Sequence, residues 1–384
     1  MSNLFLMPRY VVTGEGALDK AGNDIKLLGS KALIITDDIM VKLGNINKVT
    51  DLLDKINVKY AIYHDVNGEP TDSMVENGIR KYKDENCDFL IALGGGSPID
   101  TMKAIGAMIT NPGNINDYLG KVIEKETPPL VAIPTTAGTG SEATQFTIIT
   151  DTKRNIKMLL KGSYLIPTIA IIDPVFSMTS PKGVTSATGL DALTHAIESY
   201  TSKLVQPMSE IFSISAVKKI FNNLLEAYND GSNIKARTEM SIAALQAGIA
   251  FNNSSVTIVH GMSRPIGALF HVPHGLSNAM LLTDCLKFAL SGAPDKFCDL
   301  AKAIGIYKDG MSDIEAGEAF IKAVEDLCKD LHVQTLEEFG VDKSKFDGNL
   351  DKMASDALDS GSPQNTMREV KKEDIISIYK DLWK

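Results

Sequence analysis

Five short, almost unbroken apolar runs in the first 180 residues constrain this chain more than any other feature. They are KALIITD (31–37), KYAIYHDV (59–66), CDFLIALGGG (87–96), PPLVAIPTT (128–136) and PTIAIIDP (167–174). A strand with one wet face alternates apolar and polar residues. These runs do not, so both of their faces are expected to be buried, as in a parallel sheet with helices packed on each side. Helical stretches lie between them, such as TDSMVENGIRKYKDEN (71–86), where Thr71 and Asp72 are placed to cap the first turn. Ligands in open sheets of this kind bind at the carboxyl ends of the strands, where several of the runs close on Gly, Thr or Asp.

Strand signals fade after Ser180. The segments 209–228, 236–253 and 313–331 carry apolar residues at helical spacing instead. The 384 residues are therefore read as two domains, an α/β domain over 1–180 and an all-α domain over 181–384. With 44% hydrophobic and 23% charged residues, wholesale disorder is excluded. A net charge of −9 argues against nucleic acid as a partner. No apolar run approaches the ~18 residues of a membrane span, so no membrane partner is expected. The N-terminal sequence lacks the pattern of a signal peptide, and Cys87, Cys285, Cys298 and Cys328 are scattered without a CxxC. A cytoplasmic protein with reduced thiols is the expectation.

Two loops carry phosphate-binding character. Gly94, Gly95, Gly96 and Ser97 fall between the run CDFLIAL and the helical DTMKAIGAM, which Asp100 opens. Glycines there let backbone approach an anion, and a helix start offers free N–H groups, although a tight strand-to-helix turn has the same composition. The second loop follows LVAIP and holds Thr135, Thr136, Thr139 and Ser141, hydroxyls suited either to ribose and phosphate oxygens or to capping a helix. Two such loops favour a dinucleotide.

Three of the six histidines, His260, His271 and His274, lie within 15 positions, and Asp191 and His195 are spaced i, i+4 in GLDALTHAIESY. On a helix those two share a face, and a carboxylate–imidazole pair can hold a metal or simply hydrogen-bond. Gly261, Pro265, Pro273 and Gly275 are expected to break the stretch after His260, letting His260 and His274 turn to one point. Asp191, His195, His260 and His274 would form an O/N set without cysteine, suited to Fe(II) or Zn(II).

Four blocks, GGGSPIDTMKAIG (94–106), AIPTTAGTGSEAT (132–144), ATGLDALTHAIESY (187–200) and VHGMSRPIGALFHVPHGLSNAMLL (259–282), resemble in order and spacing the iron-containing (group III) alcohol dehydrogenases. The resemblance implies the dehydroquinate synthase-like fold, an N-terminal dinucleotide-binding α/β domain followed by an all-helical metal domain. It implies Asp191, His195, His260 and His274 as metal ligands, with Fe(II) the default ion and Zn(II) an alternative. It implies an NAD(H) site in which Gly95, Gly96 and Ser97, with Asp100 in the same block, hold the pyrophosphate, helped by Thr135, Thr136 and Thr139. Lys157 would reach the nicotinamide ribose. Asp37 would meet the adenosine ribose and favour NAD over NADP, or serve only as a turn residue. One position departs from the family pattern. Relatives often carry histidine four residues after the third ligand, and here Arg264 stands there, a group that cannot shuttle a proton. His271, or water and the cofactor ribose, would take that role. The activity implied is hydride transfer between a small primary alcohol or diol and nicotinamide, in a homodimer or larger homo-oligomer. A 4-hydroxybutyrate-type dehydrogenase, a dehydroquinate synthase-like lyase and a non-catalytic NAD- or metal-binding protein are the alternatives.

Overall fold

The computed structural model describes residues 2–383. The chain divides into two compact units, Leu6–Ser180 and everything from Pro181 onward. The segment ahead of Leu6 packs with the second unit, where Leu4 accepts a hydrogen bond from Gln206 and Phe5 stacks on Phe212.

In the first unit, six strands form one parallel sheet: β1 (Tyr10–Thr13), β2 (Lys31–Ile35), β3 (Lys59–Tyr63), β4 (Phe89–Gly94), β5 (Leu130–Pro134) and β8 (Ile169–Ile172), with β6 (Phe146–Asp151) and β7 (Ile156–Lys161) forming a separate antiparallel hairpin. The order across the sheet is β1-β8-β5-β4-β2-β3. Alternate residues of the central strands feed two cores. Ala32, Ile34, Phe89, Ile91, Val131 and Ile133 pack on one face, and Leu33, Ile35, Leu90, Ala92, Leu130 and Ala132 on the other. This double burial explains the unbroken apolar runs. The chain leaves β2 outward to β3 and returns to the opposite side of β2 as β4, so a crevice opens where the ends of β2 and β4 diverge.

The helix Asp72–Asp84 begins as its sequence suggests, with Thr71 Oγ1 accepting from the Met74 N–H. The loop after β5 does not open a helix. Ser141–Ala143 makes a single 3-10 turn and the chain runs on into the β6–β7 hairpin. Asp151 closes the hairpin turn by accepting from the backbone N–H groups of Lys153 and Arg154.

The second unit is helical. The helix Lys182–Tyr200, buried almost all round from Gly189 onward, is packed by Pro207–Asn229, Ile234–Asn252 and His274–Leu290. Gly261 and Pro265 do not break the chain as expected. Both lie inside the helix Ile258–Phe270, where Gly261 provides close contact with Pro363 and Pro265 forfeits one backbone hydrogen bond without ending the helix. The turn comes at His271, whose left-handed backbone (φ 56°) ends that helix before His274–Leu290 begins. Among the described residues no helix is long and apolar enough to cross a membrane.

Candidate functional site

Asp191 and His195 lie one turn apart on the central helix, and the two later helices bring His260 and His274 to them. Ligand atoms of Asp191, His195 and His260 all fall within 4.8 Å of one another. His260 Nε2 and His274 Nε2 each lie 3.6 Å from Asp191 Oδ1, a spacing suited to donors sharing one ion at ~2.0–2.2 Å. Gly275 permits this approach: a Cβ there would sit 2.4 Å from the Ala187 carbonyl oxygen and 3.4 Å from Asp191 Cβ. Asp191, His195 and His260 are buried, while the His274 side chain is 48% exposed, so the cluster is open on the His274 side. His195 stacks on Phe251 at 4.3 Å and on His260 at 4.4 Å.

Two residues that sequence reasoning passed over complete the cluster. Glu198, one turn beyond His195, accepts from Thr257 Oγ1 and the Val259 N–H through one oxygen, and its other oxygen lies 2.5 Å from His260 Nδ1. A carboxylate there holds the proton on Nδ1, so Nε2, which faces Asp191, is the ring nitrogen for which a proton and a cation would compete. Asn278, one turn beyond His274, donates to Asp191 Oδ1 at 2.7 Å, with its amide nitrogen 3.2 and 3.3 Å from His260 Nε2 and His274 Nε2. The signal for both was the i+3 or i+4 spacing from a candidate ligand.

The cluster fits a cation. His195 Nδ1 and Asn278 Oδ1 are buried polar atoms without a hydrogen-bond partner, unusual in so polar a setting. Burial works against charge on Asp191, yet the imidazoles of His195, His274 and His260 hold its carboxyl well below the usual carboxylate range. Burial pushes His195 down to about 3. Burial opposes charge on His260 as well, but Glu198 and Asp191 lift it to about 9. The donor set thus binds a proton on His260 in competition with a cation.

The other two candidates near these residues lie on the same helix as His260 and at its end. Arg264, one turn after His260, is half-buried; His271 is exposed at the end of that helix. No hydrogen bond or ion pair links the His271 imidazole to the cluster among the described residues.

In the first unit, a cleft of about 460 Å³ lies at the divergence of β2 and β4, walled by Asp37, Gly68, Glu69, Gly95, Gly96 and Ser97, among others. Asp37 caps the helix Asp38–Lys42, its Oδ1 accepting from the Met40 N–H. Gly96 opens the helix Gly96–Thr110, directing free N–H groups at the cleft. The threonine loop stands beside it: Thr135 N–H donates to the Gly94 carbonyl, and positions for a Cβ on Gly95 and Gly96 lie 3.5 Å from Thr136 Oγ1 and 3.1 Å from Thr139 Cγ2. Lys157, on β7, pairs with Glu69 of the cleft wall. Asp100 faces elsewhere. Its oxygens accept from Ser141 Oγ (2.6 Å) and the Ile148 N–H (2.9 Å), so its carboxylate is committed to holding the loop.

The chain is similar to known proteins along its whole length. Residues 8–174 match the family model described as iron-containing alcohol dehydrogenase, and residues 185–383 match the C-terminal model of the Fe-containing alcohol dehydrogenase family. It is 36% identical to 1,3-propanediol dehydrogenase of Citrobacter freundii, over 98% of this chain and 97% of that protein. It is 37% identical to NAD-dependent methanol dehydrogenase of Bacillus methanolicus, over 99% and 100%. A crystal structure of 1,3-propanediol oxidoreductase superimposes with a TM-score of 0.96 at 34% identity, covering all of both chains.

Proposed function

Because the chain belongs to the iron-containing alcohol dehydrogenase family, we propose that it interconverts a small primary alcohol or diol with its aldehyde, using NAD(H) and a divalent metal held by Asp191, His195, His260 and His274. The carrying observation is the buried convergence of one carboxylate and two imidazoles, with His274 Nε2 3.6 Å from Asp191 Oδ1 at the open side. When bound, the metal supplies a Lewis acid for the substrate oxygen and NAD(H) supplies or takes the hydride. Fe(II) is the ion proposed, and Zn(II) suits the same donors. The test is absorbance at 340 nm with NADH, Fe(II) or Zn(II), and a panel of short aldehydes. Net NADH loss supports the reading. Turnover of a sugar phosphate without net NADH loss would identify a cyclising lyase, and binding without turnover a sensor.

Within this reading Glu198 positions His260 by holding its Nδ1 proton. Glu198→Gln is expected to weaken metal binding by about 10- to 100-fold, measured by competition with a chelator. Gly95, Gly96 and Ser97 hold the pyrophosphate at the helix start, with Thr135, Thr136 and Thr139 adding hydroxyl donors. Lys157 exchanges Glu69 for the nicotinamide ribose. Asp100 positions the threonine loop. His271, exposed and without a hydrogen bond to the cluster among the described residues, would deliver the proton to the oxygen only through water, and water with the cofactor ribose is the alternative route.

Asp37 combines two roles, capping through Oδ1 and facing the cleft where a 2′-hydroxyl would bind. Asp37→Gly costs the cap only a few tenths of a kcal/mol. It removes a charged hydrogen bond and the repulsion of a 2′-phosphate, so the NADH/NADPH ratio of kcat/KM is expected to fall roughly 5- to 150-fold. An unchanged ratio would leave Asp37 as a cap alone.

We place the protein in the cytoplasm as a homodimer or larger. The free cysteines support a reducing compartment. Leu204, Met208 and Ile211, exposed together around the start of one helix, support association, which light scattering measures.

A further inference from the structure

Arg264 is a half-buried cation without an acceptor among the described residues. It follows His260 by one helical turn and therefore shares its face. Among the described residues its guanidinium makes no hydrogen bond and no ion pair. The carboxylate whose charge it feels is Glu198. Glu198 cannot serve as its partner, because one of its oxygens takes Thr257 and Val259 and the other His260. A guanidinium offers five N–H donors in a planar fork and stays charged at any working pH. Partial burial of such a group without an anion is costly, and an oxyanion held in two-pronged fashion relieves that cost.

We propose that Arg264 is a specificity-determining residue that selects short aldehydes and alcohols carrying an oxyanion, a carboxylate or sulfonate, at the end remote from the reacting carbon. This rests on the dehydrogenase reading above and narrows its substrate class. One turn separates Arg264 from His260 by roughly 6 Å along the helix axis. A substrate whose oxygen is held at the Asp191–His260 cluster reaches the guanidinium with a spacer of a few carbons. The reaction is balanced without the anion: the aldehyde carbon gains a hydride from NADH, its oxygen gains one proton from water, and the hydroxy acid and NAD+ leave with every bond of the oxyanion intact.

The experiment compares kcat/KM for succinic semialdehyde, 3-sulfopropanal and butanal in the parent holoenzyme and in Arg264→Met and Arg264→Lys. The parent is expected to favour one of the anionic aldehydes over butanal. That ratio falls roughly 10- to 100-fold in Arg264→Met and recovers in part in Arg264→Lys. The favoured anion identifies the head group. A second readout needs no turnover: calorimetric binding of 4-hydroxybutyrate, against 1,4-butanediol, to the holoenzyme with NADH, expected to be lost in Arg264→Met and weakened by salt in the parent. An anionic-to-neutral ratio unchanged in Arg264→Met overturns the proposal. If no aldehyde is reduced by the parent, the dehydrogenase reading fails. The calorimetric arm still judges Arg264, and equal binding of 4-hydroxybutyrate by parent and Arg264→Met overturns its role.

Discussion

His260→Ala is expected to lose the bound metal and at least about 1000-fold in kcat/KM for aldehyde reduction while NADH still binds. A Lewis acid acting on the substrate oxygen contributes several kcal/mol to the transition state, and about 4 kcal/mol is three powers of ten in rate. Of the proposed ligands, His260 is tightly built into the site, since Glu198 fixes its ring from behind and Asp191 faces its Nε2. The fold should survive its loss. Glu198 keeps the Thr257 and Val259 donors, so the junction between the two helices remains hydrogen-bonded. NADH binding should survive because the glycine loop and Asp37 belong to the other compact unit, which has its own cores on both faces of its sheet. Elemental analysis of the purified variant, a fluorescence titration with NADH and the far-ultraviolet circular dichroism spectrum test the three parts separately. Full metal occupancy in His260→Ala would remove His260 from the ligand set.

What the sequence revealed of this architecture depended on how local the physical cause was. The strands β2, β4, β5 and β8 were legible because burial on both faces leaves few polar residues to interrupt them, and β3, at the sheet edge, because its half-buried face still carries Tyr60 and Ile62. β1 was not, being four residues at the sheet edge with exposed ends. The β6–β7 hairpin left an alternating trace, with Ile149, Met158 and Leu160 turned inward, but the threonine loop before it suggested a helix start. Asp191 with His195 could be read from one helical turn. Glu198 and Asn278 obey the same spacing, yet their roles exist only because two further helices arrive beside them. Gly261 was misread because a glycine that admits a neighbouring proline looks, in sequence, like one that ends a helix. Asp100 and Lys103 were the least legible, since the side-chain hydrogen-bond partners that define them lie some 40 residues away.

Lys103→Met is expected to destabilise the first unit by about 3–5 kcal/mol and to weaken NADH binding by more than about tenfold. Lys103 is fully buried on the glycine-loop helix, and its Nζ reaches Ser141 Oγ, the Thr144 carbonyl, Thr144 Oγ1 and the Phe146 carbonyl at 2.9–3.0 Å. Methionine fills a similar volume but donates to none of them. Ser141 Oγ also donates to Asp100, so the lysine and Asp100 together pin residues 141–148 against the helix that starts at the cleft. The threonine loop that flanks the glycines is continuous with that segment, which is why a residue that is not part of the cleft wall should affect cofactor affinity. The pH dependence separates this from simple loss of packing. Burial pushes Lys103 down to about 8, with Asp100 and Glu142 pulling the other way. Between about 8 and the ordinary 10.5 the unfolded chain holds a proton the folded one has released, so this group makes stability rise with pH across that window. Burial pushes Glu142 up to about 7, against the pull of Lys103, so its contribution to stability is present below 4.5 and is lost as pH rises to about 7. In Lys103→Met the alkaline rise should vanish, and the Glu142 loss should extend to higher pH because the cation that favours its ionised form is gone. Urea denaturation midpoints between pH 5 and 10 measure both, and a variant whose profile parallels the parent's would show that Lys103 serves only to fill space.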